Sequence, residues 1–195
     1  MEEVSKAMKI ITSHAESVSN ELDQKEVNEL VRTILNSRRV FVAGAGRSGL
    51  IAKAFAMRLM HLNITVHVIG ETITPSLKEG DLFIGVTGSG ETSRVVNAAE
   101  TAMEIGAQII TITSYPDSTL GNLADHTVVL PGRIKTDSGK SYTERQMTGE
   151  YESLTPLGTL FEITALTFLD GVIASLMKEL GKEEEDLSDQ HATVE

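Results

Sequence analysis

Two short stretches of the sequence bring glycines and hydroxyl side chains together in the way an anion requires. The first, Gly44-Ala45-Gly46-Arg47-Ser48-Gly49, follows a β-branched run and opens a helical pattern. Glycines let a ligand approach the backbone there, and the free N–H groups of a helix start face the anion. The string also satisfies the G-x-G-x-x-G spacing of dinucleotide sites, with Glu71 near the distance of a ribose-binding acid, so phosphate and pyrophosphate both stay open on this motif alone. A P-loop is excluded, because Leu50 stands where that motif requires lysine. The second stretch, Thr87-Gly88-Ser89-Gly90-Glu91-Thr92, ends another apolar run and again enters a helix. A pyrophosphate is met chiefly by backbone N–H groups, whereas a terminal phosphate offers three oxygens that Ser48, Thr87, Ser89 and Thr92 can meet as donors. The two loops together point to a small phosphate monoester. The competing reading is structural: serine and threonine at such places are ordinary helix N-caps.

Proton transfer needs groups of another kind. Glu150 and Glu152 lie in Gly149-Glu150-Tyr151-Glu152-Ser153-Leu154-Thr155-Pro156, ahead of the last helical pattern, where a carboxylate also serves simply to complement the helix dipole. An ordinary glutamate titrates near about 4.3, so a glutamate base at neutral pH must be partly desolvated. His61 ends the helical pattern behind the first loop and either lines the cleft or answers the dipole of its own helix. His191 sits in a polar tail, and its ordinary pKa of about 6.5 suits proton exchange in both directions. His14, His67 and His126 share no ligand spacing with carboxylates, and the chain has no cysteine, so no metal site is expected.

An alternating pattern of elements must position these residues. Val4, Met8, Ile11 and Ala15 predict a first helix over 4–17; Val27, Leu30, Val31, Ile34 and Leu35 predict a second behind a cap at Asp23. Short apolar, β-branched runs at 39–43, 65–69, 82–86, 108–113 and 127–130 read as five strands. Helical patterns cover 48–61 and 92–105, the second stopped by Gly106. Strand and helix alternate, which predicts a parallel sheet with helices on both faces and both loops at the carboxyl ends of adjacent strands. The last helix is apolar around most of its circumference, from Leu157 to Met177. A helix of that kind is buried on more than one side, so part of it is expected to pack against another copy of the chain, unless the two N-terminal helices cover it. One unit spans 1–195, with N-terminal helices over about 1–37 and a C-terminal helix and tail over about 155–195.

Composition narrows the partners. Lysine and arginine total 17 against 28 aspartates and glutamates, and the formal charge of −11 gives a field that repels polyanions, so nucleic acid is not expected. The most apolar segment, 154–180, is interrupted by Glu162 and Asp170, which argues against a membrane helix. No secretory signal pattern opens the sequence, and the absence of cysteine fits a cytoplasmic protein.

The two loops, taken together, resemble the sugar isomerase (SIS) domain family. The resemblance extends to Ala56-Met57-Arg58-Leu59-Met60-His61-Leu62, to Val68-Ile69-Gly70-Glu71-Thr72-Ile73-Thr74-Pro75 and to the His191-Ala192 tail, which look like the 6-phospho-3-hexuloisomerase branch of that family. It implies a three-layer sandwich around a five-stranded parallel sheet in flavodoxin-like order, a homotetramer without metal or organic cofactor, and interconversion of 3-hexulose 6-phosphate with fructose 6-phosphate. Gly46, Arg47, Ser48, Thr87, Gly88, Ser89 and Thr92 then fall on phosphate- or substrate-binding positions. Gly88 stands where some members carry a polar side chain. Glu152 aligns with the family's proposed catalytic glutamate, Glu150 is its alternate, and His191 assists at the sugar oxygens. On that reading, Glu152→Gln is expected to cost at least about a hundredfold in rate. The rivals are an aldose–ketose isomerase of another sugar phosphate, a non-catalytic sugar-phosphate-binding module and a dinucleotide-dependent oxidoreductase.

Overall fold

The computed structural model describes residues 2–132, 147 and 158–190. Two helices come first, α1 (Glu2–Glu21) and α2 (Gln24–Asn36). Asp23 caps α2 as its position predicts, its carboxylate accepting the Lys25 N–H at 2.7 Å. There follow β1 (Val40–Gly44), α3 (Gly46–His61), β2 (Val66–Val68), β3 (Leu82–Val86), α4 (Ser93–Ile105), β4 (Gln108–Thr113), α5 (Thr119–Leu123) and β5 (His126–Val129). Two further helices close the described chain, α6 (Thr159–Leu180) and α7 (Glu184–Asp189). The short α5 has no counterpart in the sequence pattern; it holds together because the Ser118 hydroxyl caps it, accepting the Gly121 N–H.

The five strands pair in parallel in the order β2-β1-β3-β4-β5. Such a sheet is covered on both faces, which is why β3 is buried along its whole length. Alternate side chains feed different cores. Val40, Val42, Leu82, Ile84 and Ile110 join residues of α2, α3 and α6 on one face; Phe83 and Ile109 join Val95, Val96 and Ala99 of α4 and Leu120 of α5 on the other. Each fully buried side chain of this size stabilises the fold by about 1.5–3 kcal/mol relative to exposure.

At the amino edge of the sheet, Asp81 joins the starts of β1 and β3. Its side chain is fully buried and accepts hydrogen bonds from Arg39 at 2.5 and 3.1 Å, from the Lys78 N–H at 2.8 Å and from Arg38 at 3.3 Å. The unassigned histidines are likewise used in packing. His14 meets the Pro131 carbonyl at 2.8 Å, His126 meets the Glu26 carbonyl at 2.9 Å, and His67 lies against the Phe41 ring.

Helix α6 is buried on more than one side, but the covering comes from within the chain: α1, α2 and α3 all pack on it. The apolar circumference of α6 therefore does not require a second copy of the chain, because the N-terminal helices and α3 supply the covering surface. By length and composition alone α6 is apolar enough to cross a membrane; here Phe161, Phe168, Leu169, Val172 and Leu176 fill the core beside the sheet. Apart from Leu180 at its end, the exposed large apolar side chains among the described residues lie elsewhere, among them Val4 and Met8 on α1 and Leu50, Met57 and Met60 on α3.

Candidate active site

Strands β1 and β3 are paired in register, with Gly44 opposite Val86, so the loops that follow them leave the carboxyl edge together. Parallel neighbours lie about 4.8 Å apart, which brings Ala45 and Thr87 within reach of a single anion. The connections diverge here, β2 lying on one side of β1 and β3 on the other, and that switch point is where open α/β sheets bind ligands.

The first loop is tight for a steric reason. A methyl group added at Gly44 would come within 2.7 Å of the Ser48 carbonyl oxygen, so only glycine lets the strand end and the helix start approach this closely. Helix α3 begins at Gly46, two residues earlier than the apolar pattern indicates, and its N-cap, Ala45, has no side chain to satisfy the first N–H groups. Those donors remain for a ligand.

The second loop gathers its hydroxyls. Thr87 Oγ1 is buried and lies 2.9 Å from Thr92 Oγ1 and 3.4 Å from Ser89 Oγ. Thr87 and Thr92 share one hydrogen between them, leaving the other to donate outward. Ser89 Oγ accepts the Glu91 N–H at 3.2 Å and keeps its own hydrogen for a ligand. Thr92 occupies the N-cap position of α4, yet its side chain makes no cap hydrogen bond, so the capping explanation of this threonine does not hold. Glu91 turns away to brace α5, accepting from the Thr119 N–H and hydroxyl at 2.8 and 2.7 Å.

Both loops open into one cavity of about 300 Å³, and all seven residues expected to bind phosphate or substrate lie on its wall. The wall is completed by residues the sequence reading did not select: Ser114 and Tyr115 from the turn after β4, and Phe161 and Glu162 from α6. Ser114 and Tyr115 were discoverable, since they follow a strand at the same carboxyl edge. In the sequence Glu162 reads only as a charge interrupting an apolar run. Its carboxylate accepts a short hydrogen bond from Arg47 Nε; the Glu162 side chain is 12% exposed and that of Arg47 56%. Gly88 also finds its reason here, because a methyl group at that position would meet the Phe161 ring at 3.0 Å. A larger cavity of about 450 Å³ lies between α1, α2 and α6, but its wall is mainly apolar and includes none of these residues.

Other expectations are corrected. His61 is buried at the far end of α3, about 22 Å along the helix from Gly46, and does not line the cavity. Glu71 pairs with Lys53 at 2.5 Å, and that hydrogen bond holds its carboxyl below the usual range; it is engaged on α3 rather than placed for a ribose. Glu150, Glu152 and His191 lie outside the described residues.

The SIS domain model matches residues 33–148 of the chain. The chain is 40% identical over 194 residues to the 3-hexulose-6-phosphate isomerase of Bacillus subtilis (strain 168), covering 100% of this chain and 98% of that protein. It is also 40% identical over 194 residues to the 3-hexulose-6-phosphate isomerase of Mycobacterium gastri, covering 100% and 92%. A crystal structure from Methanococcus jannaschii, for which a molecular function of 3-hexulose-6-phosphate isomerase was inferred, superposes with a TM-score of 0.76 at 34% identity over 100% of both chains.

Proposed function

The chain belongs to the SIS domain family, and from that premise we propose that it is an isomerase interconverting 3-hexulose 6-phosphate and fructose 6-phosphate. The observation that carries this reading is full-length identity to relatives of that name; the cavity supplies the chemistry that makes it reasonable.

The phosphate is held where the two loops meet. Backbone N–H groups at the starts of α3 and α4 and the hydroxyls of Ser48, Ser89 and the Thr87–Thr92 pair donate to its oxygens, and Arg47 contributes the local positive charge. Anchoring the terminal ester leaves the carbon chain to lie along the rest of the wall, toward α6. A base removes the hydrogen on C2 of the hexulose, a cis-enediolate forms between C2 and C3, and the proton returns at C3 while the hydroxyl proton passes from O2 to O3. This needs one carboxylate at carbon and one donor at oxygen, and no metal or organic cofactor. We place the enzyme in the cytoplasm, in the ribulose monophosphate pathway, and as a homotetramer. The support for self-association is the exposed apolar stripe of α3, with Leu50 66%, Met57 42% and Met60 44% exposed.

The test is direct. Purified protein supplied with 3-hexulose 6-phosphate should form fructose 6-phosphate without added metal or nucleotide, followed by a coupled assay. Turnover of only an aldose phosphate, or of no sugar phosphate at all, would overturn the assignment.

A further inference from the structure

The second phosphate loop, 87–92, carries one charged side chain, Glu91, and its sign is wrong for an anion site. A carboxylate close to a bound phosphate repels it, so its presence in this loop calls for another use. The carboxylate leaves the cavity and accepts two hydrogen bonds from a single residue of α5, the N–H and the hydroxyl of Thr119, at 2.8 and 2.7 Å. The residue before it is tied to the same place. The Gly90 carbonyl accepts the Leu120 N–H at 3.0 Å. Gly90 also takes a left-handed conformation, φ 68°, in which a methyl group would overlap the Ser118 hydroxyl that caps α5.

The other end of the loop is held by β4 and the turn after it. The Thr87 N–H donates to the Ile112 carbonyl at 3.1 Å, and the Gly88 carbonyl accepts the Ser114 N–H at 3.2 Å. Between the two sets of ties stands Ser89, a cavity residue whose Oγ accepts the Glu91 N–H at 3.2 Å. Where Ser89 stands therefore follows from where Glu91 stands. The single bond from Leu120 fixes a distance without fixing a direction; the two bonds from Thr119 supply the direction.

We infer that Glu91 is a positioning residue of the phosphate site. Its carboxylate pins the loop to α5 before the ligand arrives, so that Ser89 and the Thr87–Thr92 pair meet the anion without having to be ordered by it. Donors already in place bind more tightly than donors a ligand must first arrange. The inference rests on the isomerase reading above and extends its phosphate site to a side chain that touches no substrate.

Removing Glu91 has two effects of opposite sign, and the sign observed decides the matter. Loss of a negative charge strengthens anion binding; loss of the pin weakens it. Glu91 is exposed, so water and salt screen its charge, and the second effect wins.

The experiment compares the parent protein with Glu91→Ala, Glu91→Gln, Thr119→Val and the double variant Glu91→Ala with Thr119→Val. Dissociation constants for inorganic phosphate and fructose 6-phosphate are measured by calorimetry at physiological salt, together with kcat, KM and thermal unfolding. Glu91→Ala should raise both dissociation constants and KM about five- to tenfold, with kcat within about threefold and the parental binding stoichiometry, which shows that the molecules are folded. Glutamine is neutral yet still offers its oxygen to the Thr119 N–H, so Glu91→Gln should stay within about threefold of the parent; this rescue separates the hydrogen bonds from the charge. Thr119→Val attacks the same tie from the α5 side and should raise the constants about threefold. Added to Glu91→Ala it should change them no further, because the two side chains share one interaction. Phosphate binding in Glu91→Ala that is unchanged or tighter would overturn the inference, as would full additivity in the double variant. A lower unfolding temperature with parental affinity would also overturn it, leaving Glu91 as a brace for α5 alone. A parent that binds both ligands but forms no fructose 6-phosphate from 3-hexulose 6-phosphate would overturn the isomerase reading, while the binding ratios still decide the role of Glu91. A parent that binds neither ligand would overturn both.

Discussion

A hydroxyl that meets a phosphate oxygen contributes equally to the bound substrate and to the transition state, because the phosphate takes no part in the chemistry. Ser48 is the clearest case, since it stands on the first turn of α3, faces the cavity and makes no other described side-chain hydrogen bond. Ser48→Ala should therefore raise KM for fructose 6-phosphate about tenfold while kcat stays within about threefold, the range for a hydrogen bond to a charged group. A fall in kcat with unchanged KM would place Ser48 in the chemistry instead. Thr87 and Thr92 make poorer probes, because removing either hydroxyl also frees the other from their shared hydrogen bond.

The next scale is that of the strands that launch the loops. Their relative height on the sheet is set at the opposite edge, where Asp81 binds both Arg39 and Arg38 and the Lys78 backbone. Burial by itself would raise the Asp81 pKa, but the hydrogen bonds from Arg39, Lys78 and Arg38 outweigh it and hold the carboxyl below the usual range. The sign follows: a depressed folded pKa gives stability that is present above the unfolded value of about 3.9 and is lost as pH falls through the lower folded value. Asp81→Ala should cost about 3 kcal/mol at neutral pH, because it leaves Arg39 without its buried partner. Urea unfolding across the acid range checks both points: the parent should weaken below the unfolded pKa, and the variant should show less of that dependence.

At the scale of the whole molecule, the formal charge of −11 and the anion cradle pull in opposite directions, and proximity decides. The net field repels polyanions over long range, whereas aligned N–H groups, hydroxyls and Arg47 act at contact. One part of the apolar surface exposed among the described residues is the outer stripe of α3, directly behind the first loop, so any association through it would steady the site. If Leu50, Met57 and Met60 form that interface, Met57→Glu combined with Met60→Glu should shift the mass seen by light scattering from several chains toward one, with the unfolded fraction unchanged. A double variant that keeps the parental mass would exclude this face.

The order of elements was legible in the sequence, because buried parallel strands must be short apolar runs and the covering helices must show a 3.6-residue period; all five strands fall within a residue or two of their expected limits. The two cavity loops were legible for a related reason: glycine at Gly44 and clustered hydroxyls from Thr87 to Thr92 are the local requirements for a backbone and side chains to approach an anion closely. The rest of the cavity wall was not. Glu162 reads in the sequence as a blemish in a greasy helix, and Ser114 and Tyr115 as an ordinary turn, since nothing local says that widely separated chain segments converge on one cavity. The covering of α6 was likewise undecided, for an apolar circumference requires neighbours without naming them. Hydrophobic periodicity fixes which side of an element is buried; only tertiary packing decides what is buried against it, and so which side chains line one cavity.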